Sequence, residues 1–126
     1  MSDWKNYNLE DKLRGILSRE KVRHPHLGQS FLSVYQLAIK YDKEFHNDVE
    51  AMGYKVGGKG SNVYTSLAQY IGRELSKRIK RGDITDIEGA VLSDTELSGI
   101  IFDNDSIVSS VTGNENGLSL FRIKDK

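Results

Sequence analysis

The sequence predicts an α+β fold, in which three N-terminal helices pack on a small C-terminal antiparallel sheet or meander. Up to Gly82, apolar residues recur at the three- and four-residue spacing of amphipathic helices. After Gly82, short runs of β-branched and aromatic residues alternate with turn-forming sequences. The chain has 126 residues, so we expect a single domain over 1–126, with a helical basic half (1–82) and a strand-rich acidic half (83–126).

Two amphipathic helices are predicted before residue 53. The first follows Asn8, a favourable N-cap, and its apolar stripe consists of Leu9, Leu13, Ile16 and Leu17. A loop around Pro25 then precedes Ser30, which we expect to cap the second helix. Gly53 stands where a C-cap glycine would end that helix. The second apolar stripe consists of Phe31, Val34, Tyr35, Ala38, Ile39 and Phe45.

The third helix has the clearest pattern in the chain, because its apolar and basic residues fall on opposite sides at 100° per residue. The apolar side consists of Tyr64, Leu67, Ala68, Ile71, Leu75 and Ile79. The basic side consists of Arg73, Lys77, Lys80 and Arg81. Gly82 and Asp83 are expected to end the helix.

Strand-like runs follow the third helix, and turn-forming residues separate them. The runs are Ile87–Leu92, Gly99–Phe102, Ser106–Val111 and Leu118–Ile123, and the turns are Asp103–Asp105 and Thr112–Gly117. The last run does not alternate regularly, which predicts a bulge in that strand.

The charges are balanced over the whole chain but separated along it. There are 18 Lys+Arg and 18 Asp+Glu in total; residues 1–82 carry 15 and 9, and residues 83–126 carry 3 and 9. The zero total argues against a chain-wide polyanion binder, while the separation is compatible with a local basic surface.

The composition also excludes several classes of site and predicts a location. Without Cys there is no disulfide, thiol nucleophile, zinc ribbon or iron–sulfur site. The apolar runs are too short to span a bilayer, and the polar N-terminus does not resemble a signal peptide, so a cytoplasmic protein without a membrane partner is expected.

The glycine-rich segment Gly57–Ser61 precedes the third helix and is a candidate anion site. Its backbone amides could face an anion, with Lys59 and Ser61 as further donors. The spacing of a P-loop is missing and no strand precedes the segment. The alternative is a turn whose glycines provide positive φ angles.

The histidines and carboxylates give weaker indications of chemistry. His24 and His26 form an H-x-H pair, and His46 stands apart, but no third metal ligand lies at a recognisable spacing. Asp103–Ser106 begins like a calcium loop but lacks the later glycine and glutamate. The carboxylates that follow the third helix, Asp83, Asp86 and Glu88, lack the nearby lysine of a nuclease-like site. We therefore predict no catalytic residues, no metal and no cofactor.

The pattern as a whole favours a binding module over an enzyme. The first hypothesis is weak nucleic-acid binding through the basic side of the third helix and the Gly57–Ser61 segment. A solvated helix surface is the ordinary alternative for such a charged side. A second hypothesis is an adaptor or self-associating unit, in which the basic helices of one copy meet the acidic sheet of another. A small enzyme is the third.

Overall fold

The computed structural model describes residues 3–56, 66–93, 95–97, 100–102, 107–108 and 117–124. Within these ranges the helices are α1 (Asp3–Asn6), α2 (Leu9–Ser18), α3 (Val34–Glu44), α4 (His46–Met52) and α5 (Leu67–Arg81). The strands are β1 (Arg23–His24), β2 (Gly28–Gln29), β3 (Leu32–Ser33), β4 (Ile87–Leu92), β5 (Ile100–Ile101), β6 (Ile107–Val108) and β7 (Leu118–Ile123). The predicted α+β fold is therefore confirmed, with helices mostly before the strands.

The helices differ from the prediction in number and in their starting residues. Helix α1 was not predicted, and the expected second helix is divided at Phe45 into α3 and α4. Ser33, not Ser30, caps α3: its side chain accepts from the amide of Gln36, whose side chain in turn accepts from the amide of Ser33. Asn8 does occupy the N-cap position of α2, but in a left-handed conformation and without a side-chain capping bond.

The main sheet has the strand order β3–β7–β4 and is antiparallel. Six consecutive residue pairs join β4 to β7, from Ile87 opposite Ile123 to Leu92 opposite Leu118, so the expected bulge is absent from this ladder. Two-stranded ribbons are formed by β1 with β2 and by β5 with β6. Since β3 comes from the helical half of the chain, the two predicted halves share one sheet.

The core is formed jointly by helices and sheet. Its fully buried side chains include Leu9, Leu13, Leu17, Leu37, Tyr41, Leu67, Ile71, Leu75, Ile87 and Phe121. Burying each such side chain contributes about 1.5–3 kcal/mol relative to an exposed one. Because α5 supplies Leu67, Ile71 and Leu75 from one side, its opposite side is directed away from the core.

No helix in the described ranges has both the length and the apolar character needed to cross a bilayer. The predicted segments Gly57–Ser61, Asp103–Asp105 and Thr112–Asn116 lie outside the described residues, as do Tyr64 and most of Ser106–Val111.

Candidate nucleic-acid interface

Helix α5 carries the predicted basic side, and both of its ends are well defined. The Ser66 hydroxyl accepts a hydrogen bond from the amide of Gln69 at 3.1 Å, which is a standard N-cap contact. At the other end Gly82 adopts φ 83°, a left-handed conformation that ends the helix at little steric cost. The residues between these caps form a fixed scaffold for the charged side chains.

The four predicted basic residues of α5 are all exposed. Side-chain exposure is 55% for Arg73, 49% for Lys77 and 53% for Arg81, and Lys80 is exposed as well. From the first to the last of these residues the helix rises about 12 Å. We call Arg73, Lys77 and Lys80 the outward face, because at 100° per residue they lie opposite the buried side of the helix, whereas Arg81 lies nearer its edge and pairs with Asp83 at 2.9 Å.

Glu74 lies beneath this face, and the sequence pattern does not indicate its role. Its side chain is 10% exposed and forms ion pairs with Arg78 and, at 3.2 Å, with Lys77. Burial acts to raise the pKa of Glu74, but the hydrogen bonds from Arg78 and Lys77 outweigh burial and leave the pKa below its ordinary value. Glu74 is therefore ionised at neutral pH, and it neutralises part of the charge of α5.

Arg78 faces inward and fixes α1 to α5. Its guanidinium carbon lies 4.5 Å from the ring centroid of Trp4, which is 4% exposed. The backbone amide of Trp4 also donates to the hydroxyl of Tyr70 at 3.0 Å. Arg78 lies between a buried carboxylate and a buried indole, so its contacts hold α1 against α5. We therefore do not include Arg78 in the interface.

Two tyrosines lie beside the outward face at its N-terminal end. The rings of Tyr54 and Tyr70 are stacked, with centroids 5.3 Å apart and planes inclined by 25°. The guanidinium carbon of Arg73 lies 5.7 Å from the centroid of Tyr70. Gly53, with φ 78°, ends α4 and turns the chain so that Tyr54 reaches α5. Both rings are partly buried against the core and partly exposed.

The N-terminus of α5 contributes less to an anion site than the sequence indicated. The amide of Leu67 donates to the carbonyl of Lys55 at 2.6 Å, and the amide of Ala68 donates to that of Val56 at 3.0 Å. With Gln69 bonded to Ser66, the first three amides of the helix are already paired. The remaining candidate donors, Lys59 and Ser61, lie outside the described residues.

The carboxylates that follow α5 do not form a common site. Each pairs with a different cation: the pairs are Arg81–Asp83 at 2.9 Å, Arg14–Asp86 at 2.6 Å and Arg122–Glu88 at 2.6 Å, and Arg14 also pairs with Glu10 and Asp11. The hydrogen bond from Arg14 lowers the pKa of Asp86, which keeps that carboxylate charged. The negative charge of these three side chains is thus partly offset within the molecule.

The three histidines lie outside α5, and the ring centroids of His24 and His26 are 5.8 Å apart, whereas His46 belongs to α4. The Nδ1 atom of His24 accepts from the amides of His26 and Leu27, at 3.1 and 3.0 Å, and so shapes the β1–β2 turn. His46 lies between Asp42, 2.9 Å from Nδ1, and Glu50, 3.0 Å from Nε2. These two hydrogen bonds raise the pKa of His46. Across the described ranges, His, Asp and Glu side chains do not assemble into a group of three able to hold a metal ion.

A shallow cleft of about 270 Å³ opens between α2 and α3, and its lining carries charges of both signs. The lining residues are Ile16, Arg19, Glu20, Lys40, Lys43 and Glu44. Arg19 and Glu44 form an ion pair with each other. Because the charges largely cancel, the cleft favours no single class of ligand.

Comparison of the chain with protein-family models, curated proteins and solved structures gives no match.

Proposed function

We propose that the protein is a non-enzymatic module that binds nucleic acid through the outward face of α5. The observation that carries this proposal is the position of Arg73, Lys77 and Lys80, which project from the side of the helix opposite the core. These cations are spaced over about 10 Å of a rigid helix, which matches a short run of backbone phosphates. The contacts are electrostatic, so they favour polyanions without selecting a base sequence.

The expected affinity is weak because few phosphates are contacted. Non-specific binding of this kind has a Kd on the order of 10⁻⁴ to 10⁻⁶ M at physiological salt. With three contacts, the logarithm of the association constant should fall with the logarithm of salt concentration with a slope of about −2 for a single strand and about −3 for a duplex.

A salt series tests the proposal directly. Fluorescence anisotropy with labelled single strands and duplexes of about 20 nucleotides should show binding at about 50 mM salt that is largely lost by about 200 mM. Absence of binding at the lowest salt would contradict the proposal, because electrostatic attraction is strongest there.

Self-association through the acidic sheet is the competing proposal, and the intramolecular ion pairs weigh against it. Asp83, Asp86 and Glu88 already have cationic partners in the same chain, so fewer carboxylates are left for a second copy. Sedimentation at about 50 mM salt separates the two proposals: an oligomer that dissociates as salt is raised would favour self-association.

A further inference from the structure

We infer that the preferred ligand of the outward face is single-stranded nucleic acid, with an unpaired base stacking on the Tyr54–Tyr70 pair. This inference rests on the proposed function and adds a ligand class to it. The observation that supports it is that two partly exposed, stacked rings lie next to Arg73, the first cation of the outward face. Bases stacked on aromatic side chains contribute about 1–3 kcal/mol each, whatever the base.

The two rings are held in place before any ligand binds. The hydroxyl of Tyr70 accepts from the amide of Trp4 at 3.0 Å, which fixes that ring relative to α1. The segment that carries Tyr54 is fixed as well, because the carbonyls of Lys55 and Val56 accept from the first amides of α5. A base that stacks here therefore orders few protein groups, which lowers the entropic cost of binding.

The cations of the outward face extend along α5 away from the two tyrosines. Arg73 follows Tyr70 by three residues, and Lys77 and Lys80 continue the row over the next two turns. The carboxylate of Asp3 lies beside Tyr54 and, after burial, is the main neighbour that raises the pKa of its hydroxyl. The negative charge of Asp3 disfavours a phosphate beside it. We therefore expect the phosphates of a bound strand to contact the cations and a base to stack on Tyr54.

A single strand can contact both the cations and the tyrosine rings, whereas a duplex can contact only the cations. In a duplex the faces of the bases are covered by their neighbours, so a stacked tyrosine pair gains nothing from them. In a single strand an unstacked base exposes its face. The guanidinium of Arg73 can then contact both the adjacent phosphate and the ring of Tyr70.

Oligonucleotides without bases provide a test that leaves the protein unchanged. Three ligands of equal phosphate number are compared at about 50 mM salt: an ordinary single strand, a strand of abasic sites and a duplex. We expect the ordinary strand to bind about fivefold to tenfold more tightly than the abasic strand. Equal affinity for these two would overturn the inference while leaving phosphate binding intact. Loss of all binding would overturn the proposed function itself.

Two substitutions of Tyr54 locate the effect. Tyr54→Phe keeps the ring and should bind the ordinary strand within about twofold of the wild type. Tyr54→Leu keeps apolar bulk but loses the π-face, and should bind that strand about fivefold less tightly with unchanged affinity for the abasic strand. Thermal unfolding of both variants checks that they fold. If folded Tyr54→Leu binds the ordinary strand as the wild type does, Tyr54 is not the stacking residue and the inference fails.

Discussion

Arg73 and Arg78 belong to the same helix and approach the same carboxylate, yet their surroundings differ. Arg78 is 13% exposed, pairs directly with Glu74 and packs on Trp4. Arg73 is 55% exposed and lies 3.9 Å from Glu74, beyond a hydrogen bond. A largely buried cation is costly to leave without its partner, whereas a cation in water remains free to exchange counterions for phosphates.

Removing the charge of Glu74 should have the largest effect on stability. Glu74→Gln leaves Arg78 largely buried without a carboxylate partner, so the free energy of unfolding should fall by about 3 kcal/mol. Urea unfolding followed by circular dichroism measures this loss. Arg73→Gln is the matched control and should change stability by less than about 0.5 kcal/mol. Equal losses in both variants would show that the buried carboxylate of Glu74 contributes no more to stability than the exposed Arg73.

Acid should destabilise the folded chain by protonating the carboxylates of Glu74 and Asp86. The pKa of Glu74 is lower in the folded chain than its ordinary value of about 4.3, so its contribution is complete above that value. The contribution is lost as the pH falls through the lower, folded pKa, and Asp86 behaves in the same way. Unfolding free energies measured from about pH 6 to about pH 3 should decline, and Glu74→Gln should decline less steeply. A Glu74→Gln curve that follows the wild-type curve would show that Glu74 does not contribute to the loss of stability in acid.

The Arg14–Asp86 pair tests a smaller structural effect, at the junction of the helical and strand-rich halves. It joins α2 to the residue before β4 with an N···O distance of 2.6 Å, but Asp86 is 48% exposed. A double-mutant cycle with Arg14→Gln and Asp86→Asn should therefore give a coupling energy of no more than about 1 kcal/mol. A coupling energy several times larger would show that this exposed pair contributes as much as the buried Glu74–Arg78 pair.

The smallest expected effect on stability concerns His46 on the exposed surface of α4. Hydrogen bonds to Asp42 and Glu50 raise its pKa, so its contribution is complete below the unfolded value of about 6.5 and is lost as the pH rises through the folded pKa. An NMR titration should place the pKa of His46 above about 6.5, and Asp42→Asn with Glu50→Gln should lower it toward that value. An unchanged pKa in the double variant would exclude these carboxylates as the cause.

The sequence was informative wherever a residue pattern repeats. The 3.6-residue period identified which side of α5 is buried and which cations are exposed, and glycine chemistry located the ends at Gly53 and Gly82. The strands β4 and β7 were predicted with the bounds that the structure has, Ile87–Leu92 and Leu118–Ile123.

Features that depend on tertiary contacts could not be predicted in this way. The break at Phe45 contains neither proline nor glycine, and the two-residue strand β3 is too short to show a period. Glu74 lies near the apolar stripe, where a charged residue is unexpected, although its spacing of four residues from Arg78 was a usable signal of an ion pair. The Tyr54–Tyr70 stack joins separate elements, so periodicity along one helix does not indicate it.

The most direct test of the central claim compares two triple variants that each lose three positive charges. One removes the outward face by Arg73→Ala, Lys77→Ala and Lys80→Ala; the other removes exposed lysines elsewhere by Lys21→Ala, Lys40→Ala and Lys124→Ala. At about 50 mM salt the first should bind a single strand at least about tenfold less tightly than the wild type, with a salt dependence shallower by about 2. The second should stay within about twofold of the wild type. Equal weakening in both variants, or none in the first, would contradict the claim that α5 holds the nucleic acid.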